Sequence, residues 1–572
     1  MEIVMSRHFT GKQSVGTRKI TRPNGDVYVY ERTTQYDQKT KKTVTLHNRL
    51  LGKIDAKTGE LVPTRPKKKK KSDNEMTQRL HLGATEILDW VGKNSGIDQD
   101  LATAFDEGSA QKLSTIARYW LATDGATLPR LEAWQVMHPT PYRDGMSEDV
   151  YGKLFASVGI DENGIQTYFA LRAARLNKSA TIAFDSTTIS TYSENQTQAR
   201  QGFNKDRDGL DTIKLLTLYS VKDKEPIAFA KQPGNVPDVI SIENALKQLK
   251  CFNLDRPTVV TDNGYYSQGN MTEFARRNIK FLTLASSSVN WIRQEIDAAR
   301  EDLGTMQAVC TIDHKIRCAT RMLMHEFSFT RERSRGEVKA GDTEQFQRRL
   351  YVHVYFSQEN VAKDEANLTE RLLELKRQVE QGETFTEAGK KRVEKFITTS
   401  RVGRGGKLHV SFNNEAYQEA KKYFGFFVLI SNEIKDANKA LEQYRLREKI
   451  EELFAVQKNS MDGRRPRNWY PDALLGRQFA QFVGLGYHCF LTKKIKEVHA
   501  CLGTNAKDKT KEQVDLELNL KRWIEARSLI QILDWFDCIE QTTVKTPKGC
   551  VRWSTESVKR DELFLTLLGV RQ

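Results

Sequence analysis

The chain has 572 residues, 38% of them hydrophobic and 29% charged, with 35 glycines and 13 prolines, which excludes a low-complexity or collagen-like chain. A formal net charge of +16 and a pI of 9.3 point to a polyanionic partner, nucleic acid before an anionic membrane surface. Seven scattered cysteines with no CxxC pair exclude a disulfide framework and a zinc ribbon. Met1–Gly16 has no apolar core and no apolar run reaches about 18 residues, so the expectation is a cytoplasmic protein with no signal peptide and no membrane span.

The length predicts roughly three to five domains. Residues 10–62 read as small β structure. VYVYER (27–32) alternates after the turn signal Pro23-Asn24-Gly25-Asp26, KKTVTLHNRLLGKID (41–55) gives a further strand, and Lys57-Thr58-Gly59-Glu60 another turn. Pro66 and the run Lys67–Lys71 follow, either a solvated linker or a non-specific phosphate contact. Residues 76–177 have helical periodicity, with Trp90, Trp120 and Trp134 as core residues of a bundle; a DNA-reading helical domain fits the same pattern.

At Ser179 the pattern changes. SATIAFD (179–185) is an apolar run ending in Asp185, KLLTLYS (214–220) and PIAFAKQ (226–232) follow as strands, and VISIENALKQLKCF (239–252) reads as helix. PTVVTD (257–262) is a strand ending in Asp262, MTEFARRN (271–278) a helix, KFLTLAS (280–286) a strand, and, much later, YFGFFVLIS (423–431) another. This order predicts an α/β layered sandwich of ribonuclease-H-like type. Between its parts, residues 287–422 read as a folded insertion, because such a core does not normally hold a structureless loop of that length. Its first half has strand character (MQAVCTIDH, HEFSFTRE, RLYVHVYFS). Its second half is a charged helical pair, the second member being EAGKKRVEKFITTS, before KLHVSFN. The tail, 461–572, opens on Arg464, Arg465 and Arg467 and is mainly helical, with a small hairpin.

After the last core strand, Asp436–Lys458 has good helix formers and neither Gly nor Pro, which predicts one helix. At about 100° per residue, Tyr444, Arg447, Glu451 and Lys458 share a stripe roughly 60° wide, beside an apolar stripe of Leu446, Ile450, Leu453 and Phe454. A surface helix laced with Glu/Lys pairs is the plain alternative. What favours a site is that Asp185 and Asp262 stand at strand ends of the same core, where open α/β sheets build their sites. Each aspartate alone is compatible with ordinary turn chemistry. Three adjacent carboxylates would repel one another unless neutralised, and Mg2+, which takes oxygen ligands, suits them. Two such ions about 3.5–4 Å apart would activate an attacking oxygen and stabilise the leaving one in phosphoryl transfer. Tyr444, Arg447 and Lys458 are then suited to hold phosphates, and Arg464, Arg465 and Arg467 form either a solvated turn or a phosphate-contacting patch.

FDSTTIS (184–190), VVTDNGYYS (259–267) and Tyr444-x2-Arg447-x3-Glu451-x6-Lys458 together resemble the DDE transposases of bacterial insertion sequences, in the branch with the YREK signature and an inserted domain. Gly202-Phe203-Asn204-Lys205-Asp206, Pro233-Gly234-Asn235-x2-Asp238 and GKIDAKTGEL (52–61) add to the resemblance. It implies a ribonuclease-H-like (retroviral-integrase-like) catalytic core over 178–286 and 423–460, a β region over 1–65, a basic linker over 66–76, a helical DNA-binding domain over 77–177, a mixed insertion domain over 287–422 and a mainly helical region over 461–572. By resemblance Asp185, Asp262 and Glu451 are catalytic metal ligands for Mg2+, with Mn2+ able to substitute. Tyr444, Arg447 and Lys458 contact double-stranded DNA at the terminal inverted repeats. The freed 3′-hydroxyl ends are joined to target DNA by a homodimer or larger synaptic complex. Trp291 is a candidate for stacking a flipped base, or else a packing residue behind the fifth strand. The alternatives are a transposase-derived regulator without catalysis, and a related nuclease that cuts without joining.

Overall fold

The structure, a computed structural model, describes residues 13–37, 41–63, 76–176, 181–202, 204, 208–238, 240, 257–331, 341–402, 407–465, 468–504, 509–546 and 549–571. The lysine run Lys67–Lys71, the helix expected over 239–252, Phe203, Lys205, Asp206 and Arg467 lie outside them. The chain divides into two units, Met1–Gln78 with Thr542–Trp553, and Arg79–Gln541 with Ser554–Gln572.

In the smaller unit, strands Ser14–Thr21, Val27–Asp37, Lys42–Ile54 and Leu61–Val62 form an antiparallel sheet in sequence order. Both expected turns are present, with Gly25 at φ +84° and Gly59 at φ +70°. The Asp55 carboxylate closes the second turn by accepting the N–H of Lys57 (2.7 Å) and of Thr58 (3.1 Å), which holds its carboxyl below the usual range.

The larger unit joins a helical layer to a mixed sheet. Helices Gly83–Asn94, Ile97–Ala104, Glu107–Ala122, Glu148–Ile160 and Glu162–Ala174 pack around the long tail helix Pro471–Cys501. Phe479 and Phe482 of that helix meet the rings of Tyr168 and Phe169, and Arg118 Nε donates to Tyr487 Oη at 3.2 Å. Segments distant in sequence therefore share one core. Trp120 is fully buried in it, while Trp90 and Trp134 are partly buried against it. No helix among the described residues is long and apolar enough to cross a membrane.

The sheet has eight strands in the order Ile316–Thr330, Thr343–Ser357, Phe426–Ser431, Lys280–Ala285, Thr258–Thr261, Thr181–Ser190, Thr212–Ser220, Glu225–Pro233. Thr181–Ser190 runs parallel to Thr258–Thr261, which runs parallel to Lys280–Ala285; every other neighbouring pair is antiparallel. The first five core strands thus lie in the order third, second, first, fourth, fifth, in line with the ribonuclease-H-like expectation.

The structure differs from the sequence expectation at several points of this fold. Asp185 does not end its strand, which continues to Ser190 because Ser186–Ser190 pair with Thr212–Leu216. MQAVCTIDH is not a strand: Met306–Ala308 is a 3-10 turn, and the Asp313 carboxylate then turns the chain by accepting from Lys315 N (3.2 Å). The first two strands of the insertion do not stand apart, since Ile316–Thr330 and Thr343–Ser357 extend the core sheet through Phe426–Ser431. Its second charged helix ends at Phe396, where β-branched Ile397, Thr398 and Thr399 start a strand paired with Lys407–Phe412.

The helices Glu148–Ile160 and Pro471–Cys501 approach closely at two points, and at each a glycine of one meets the backbone of the other. A Cβ on Gly476 would lie 2.0 Å from the Phe155 carbonyl oxygen, and one on Gly159 1.8 Å from that of Asp472. Gly476→Ala is therefore expected to destabilise the protein by about 1–3 kcal/mol. Gly152→Ala, on the facing helix Glu148–Ile160 and with nothing within 4 Å of the added methyl, is expected to be neutral or stabilising by up to about 1 kcal/mol. Thermal and urea melts of the two variants check the contrast, and equal effects would contradict the close-approach argument.

Candidate active site

Two neighbouring parallel strands place the aspartates. Phe184 pairs with Thr261, so Asp185 and Asp262 are the next residues on adjacent strands, at corresponding positions. Asp185 is buried within its strand, whereas Asp262 follows the end of Thr258–Thr261 and opens the 3-10 turn Asn263–Tyr265. The third carboxylate arrives from the other side of the sheet order. Phe426–Ser431 leads into a helix whose start is capped by Asp436, its Oδ1 accepting from Asn438 N at 2.9 Å.

That helix is not continuous, as the sequence had suggested. It divides into Ala437–Leu446 and Glu448–Asn459 at Arg447. The backbone N–H of Arg447 donates to Tyr444 O (3.0 Å) and that of Ile450 to Arg447 O (2.8 Å), so the joint is a tightened turn with i to i+3 bonds. The break coincides with the residue drawn deepest into the site. Ile450, Leu453 and Phe454 are buried and Leu446 packs on the core, so the expected apolar stripe sets the rotation of the second helix.

Arg447 is the hub. Its Nη1 donates to Asp185 Oδ2 at 2.7 Å, and its Nη2 lies 3.7 Å from both Asp262 Oδ2 and Glu451 Oε1. Tyr444 donates its hydroxyl to Asp262 Oδ1 (2.7 Å), and the backbone N–H of Ser186 donates to Asp185 Oδ1 (2.8 Å). Burial, and then the neighbouring Asp262, push the Tyr444 phenol far above its ordinary value, so it stays a donor. Burial alone would lower the Arg447 pKa, but Tyr444, Asp262, Asp185 and Glu451 hold it above its ordinary value.

The three carboxylates line a cavity of about 380 Å3, together with Ser186, Thr188, Lys214, Gly234–Asp238, Gly264 and Tyr265. The side chains that sequence reasoning did not assign are Ser186, Lys214, Asp238 and Tyr265. Asp238 belongs to the Pro233-Gly234-Asn235-x2-Asp238 motif, which marked a resemblance but carried no role. Lys214 had one available signal, a charge within an otherwise apolar strand, since lysine is almost never fully buried unless paired. The donor set fits a hard divalent cation: its carboxylate oxygens come from three chain segments, and no thiol or imidazole lines this cavity among the described residues. The buried Nε of Arg447 makes no hydrogen bond among the described residues.

The remaining expected residues fall into two places. Lys458 lies in the last turn of the Glu451 helix, half-buried. Arg464 and Arg465 are exposed and line a cavity of about 840 Å3 with Tyr192, Asp462 and Trp469; Arg465 Nη1 donates to Tyr192 Oη at 3.0 Å. Trp291 is half-buried on the helix Asn290–Leu303, its ring 4.9 Å from that of His325, a contact that fits its packing alternative.

Removing Arg447 takes the 2.7 Å guanidinium contact away from the buried Asp185 carboxylate. Arg447→Gln is expected to cost about 3 kcal/mol of stability in EDTA. Part of that loss should return when Mg2+ is added, because a ligand that binds only the folded state stabilises it. Urea melts with EDTA and with Mg2+ check this, and a variant as stable as wild type in EDTA would contradict the hub role.

Over residues 177–469 the chain matches a family model described as Transposase DDE domain. No curated protein matches it. Among solved structures, a cryo-EM structure of a piggyBac transposase synaptic complex with hairpin DNA aligns with 80% of this chain and 78% of that chain, at 10% identity and a TM-score of 0.35, a distant likeness. The family match spans more than half of the 572 residues and includes all three carboxylates gathered around Arg447, so the chain belongs to the DDE-domain transposases.

Proposed function

We propose that this protein is an insertion-sequence transposase of the YREK branch, which binds the terminal inverted repeats of its element, cleaves there by two-metal phosphoryl transfer and joins the 3′-hydroxyl ends to target DNA. The observation that carries the reading is the convergence of Asp185, Asp262 and Glu451 on one guanidinium within a DDE domain. Asp185, Asp262 and Glu451 would hold Mg2+, which supplies activation of the attacking oxygen and stabilisation of the leaving one. The other residues bind and orient. Tyr444 fixes the rotamer of Asp262 through its 2.7 Å hydrogen bond, and Ser186 N fixes that of Asp185. Arg447, tied to Asp185 through one nitrogen, holds that carboxylate in place and sets a positive charge beside the site.

Lys458, Arg464, Arg465 and Arg467 extend basic character along the chain from the Glu451 helix into the following turn. Exposed Tyr192 and Trp469 beside Arg464 and Arg465 give that cavity the mixture of cation and aromatic that accepts a nucleic-acid strand. Both ends of an element must be cut and joined together, so the working form is a homodimer or larger synaptic assembly on DNA.

The test is labelled duplex carrying the element's terminal repeats and flanks, with Mg2+, Mn2+ or EDTA. Wild type is expected to cut at the repeat boundary with either metal, to stop in EDTA, and to join the freed ends to a target plasmid. Glu451→Gln and Asp262→Asn are expected to lose at least about 100-fold in cleavage while still shifting the duplex in a gel. Cleavage that survives in Glu451→Gln would falsify the site assignment. Cutting without joining would favour the nuclease, and binding without cutting would favour the regulator.

A further inference from the structure

The motif Pro233-Gly234-Asn235-Val236-Pro237-Asp238 has no part in the chemistry above, yet it forms one wall of the same cavity. Gly234 lets this loop lie directly on the second core strand, since a Cβ there would meet the Thr212 carbonyl oxygen at 2.0 Å. The approach brings two acceptors to Lys214 on that strand. Lys214 Nζ donates to Val236 O at 2.5 Å and to Asp238 Oδ1 at 2.8 Å. The same Asp238 oxygen accepts from Ser186 Oγ at 2.8 Å, and Ser186 is the residue whose backbone N–H holds Asp185.

Lys214 is 7% exposed and its strand neighbours Ile213, Leu215 and Leu216 are buried apolar residues. A lysine in such a strand is costly unless its charge is used. An ammonium has three N–H donors, and two of them are satisfied here; the third has no partner among the described residues. It belongs to a side chain that lines the cavity of Asp185, Asp262 and Glu451. Lys214 also pairs with Thr188, three residues beyond Asp185 on the neighbouring strand. Counting Asp238, four carboxylates stand against the charges of Arg447 and Lys214, so the Lys214 ammonium leaves the side chains of the site net negative and still able to attract a divalent cation.

We propose that Lys214 binds the phosphate of the phosphodiester to be cut, and that Asp238 is a positioning residue which holds the Lys214 ammonium in the cavity and braces Ser186 beside Asp185. The proposal rests on the reading of this cavity as the DNA-cleaving site. No bond is made or broken at Lys214; it sets a fixed positive charge against the non-bridging oxygens.

The test is equilibrium binding, by the full chain in Ca2+, of two duplexes that differ at one linkage. One has a phosphodiester and the other an uncharged methylphosphonate at the junction between terminal repeat and flank. Wild type is expected to prefer the phosphodiester about tenfold. In Lys214→Gln that preference should fall below about twofold, whereas Lys214→Arg, which keeps the charge, should retain most of it. Asp238→Asn should give an intermediate preference, with melting temperatures confirming that each variant is folded. A wild-type preference unchanged in Lys214→Gln would overturn the assignment, and so would the absence of any preference in wild type. A Lys214-dependent preference in a protein that makes no cut would retire the transposase chemistry and leave the phosphate site standing.

Discussion

One guanidinium among three carboxylates is the constraint on which the rest of this structure depends. Asp185, Asp262 and Glu451 come from a strand interior, a strand end and a helix, and left together they would repel. Arg447, within 2.7 Å of the first and 3.7 Å of the other two, supplies the opposing charge from the helix that also carries Glu451. Two geometrical conditions must hold for this contact to form. The parallel register Phe184–Thr261 must set the aspartates side by side, and the helix must enter with its tightened turn facing them.

The second condition explains a feature of the insertion. Its strand Thr343–Ser357 pairs with Phe426–Ser431, so the last core strand is not an exposed edge. The same inserted strand grips the chain leading to the site: His353 Nε2 lies 3.0 Å from Ile434 O, and Tyr355 donates its hydroxyl to Ala437 O at 2.7 Å. The strand half of the insertion therefore braces the segment that delivers Tyr444, Arg447 and Glu451. This gives it a part in building the site that is separate from any contact to DNA made by its charged helices.

Much of this was legible in the sequence because it depends on local pattern. The apolar runs after Ser179 became strands, the turns at Gly25 and Gly59 formed where Gly follows polar residues, and Ile450, Leu453 and Phe454 faced the core as their spacing implied. The placement of Tyr444, Arg447 and Glu451 on one stripe survived even though the helix breaks at Arg447. What the sequence could not display were consequences of pairing across long separations. The Asp185 strand runs on past its aspartate because a partner strand is available as far as Thr212. The strands Ile316–Thr330 and Thr343–Ser357 of the insertion join the core sheet for a similar reason. The sequence could not display the partners of Lys214, which the 233–238 loop supplies in Val236 and Asp238, nor the hydrogen bonds of Tyr444 and Arg447 to the two aspartates.

Asp185, Asp262 and Glu451 are proposed to hold divalent metal between them. The most direct measurement is anomalous diffraction from crystals of the protein soaked in Mn2+, collected above and below the manganese edge. At least one strong anomalous peak is expected, about 2.0–2.3 Å from carboxylate oxygens of Asp185 and Asp262 and with Glu451 drawn to the same centre. Full-occupancy manganese elsewhere in the molecule, with no peak between these carboxylates, would contradict it.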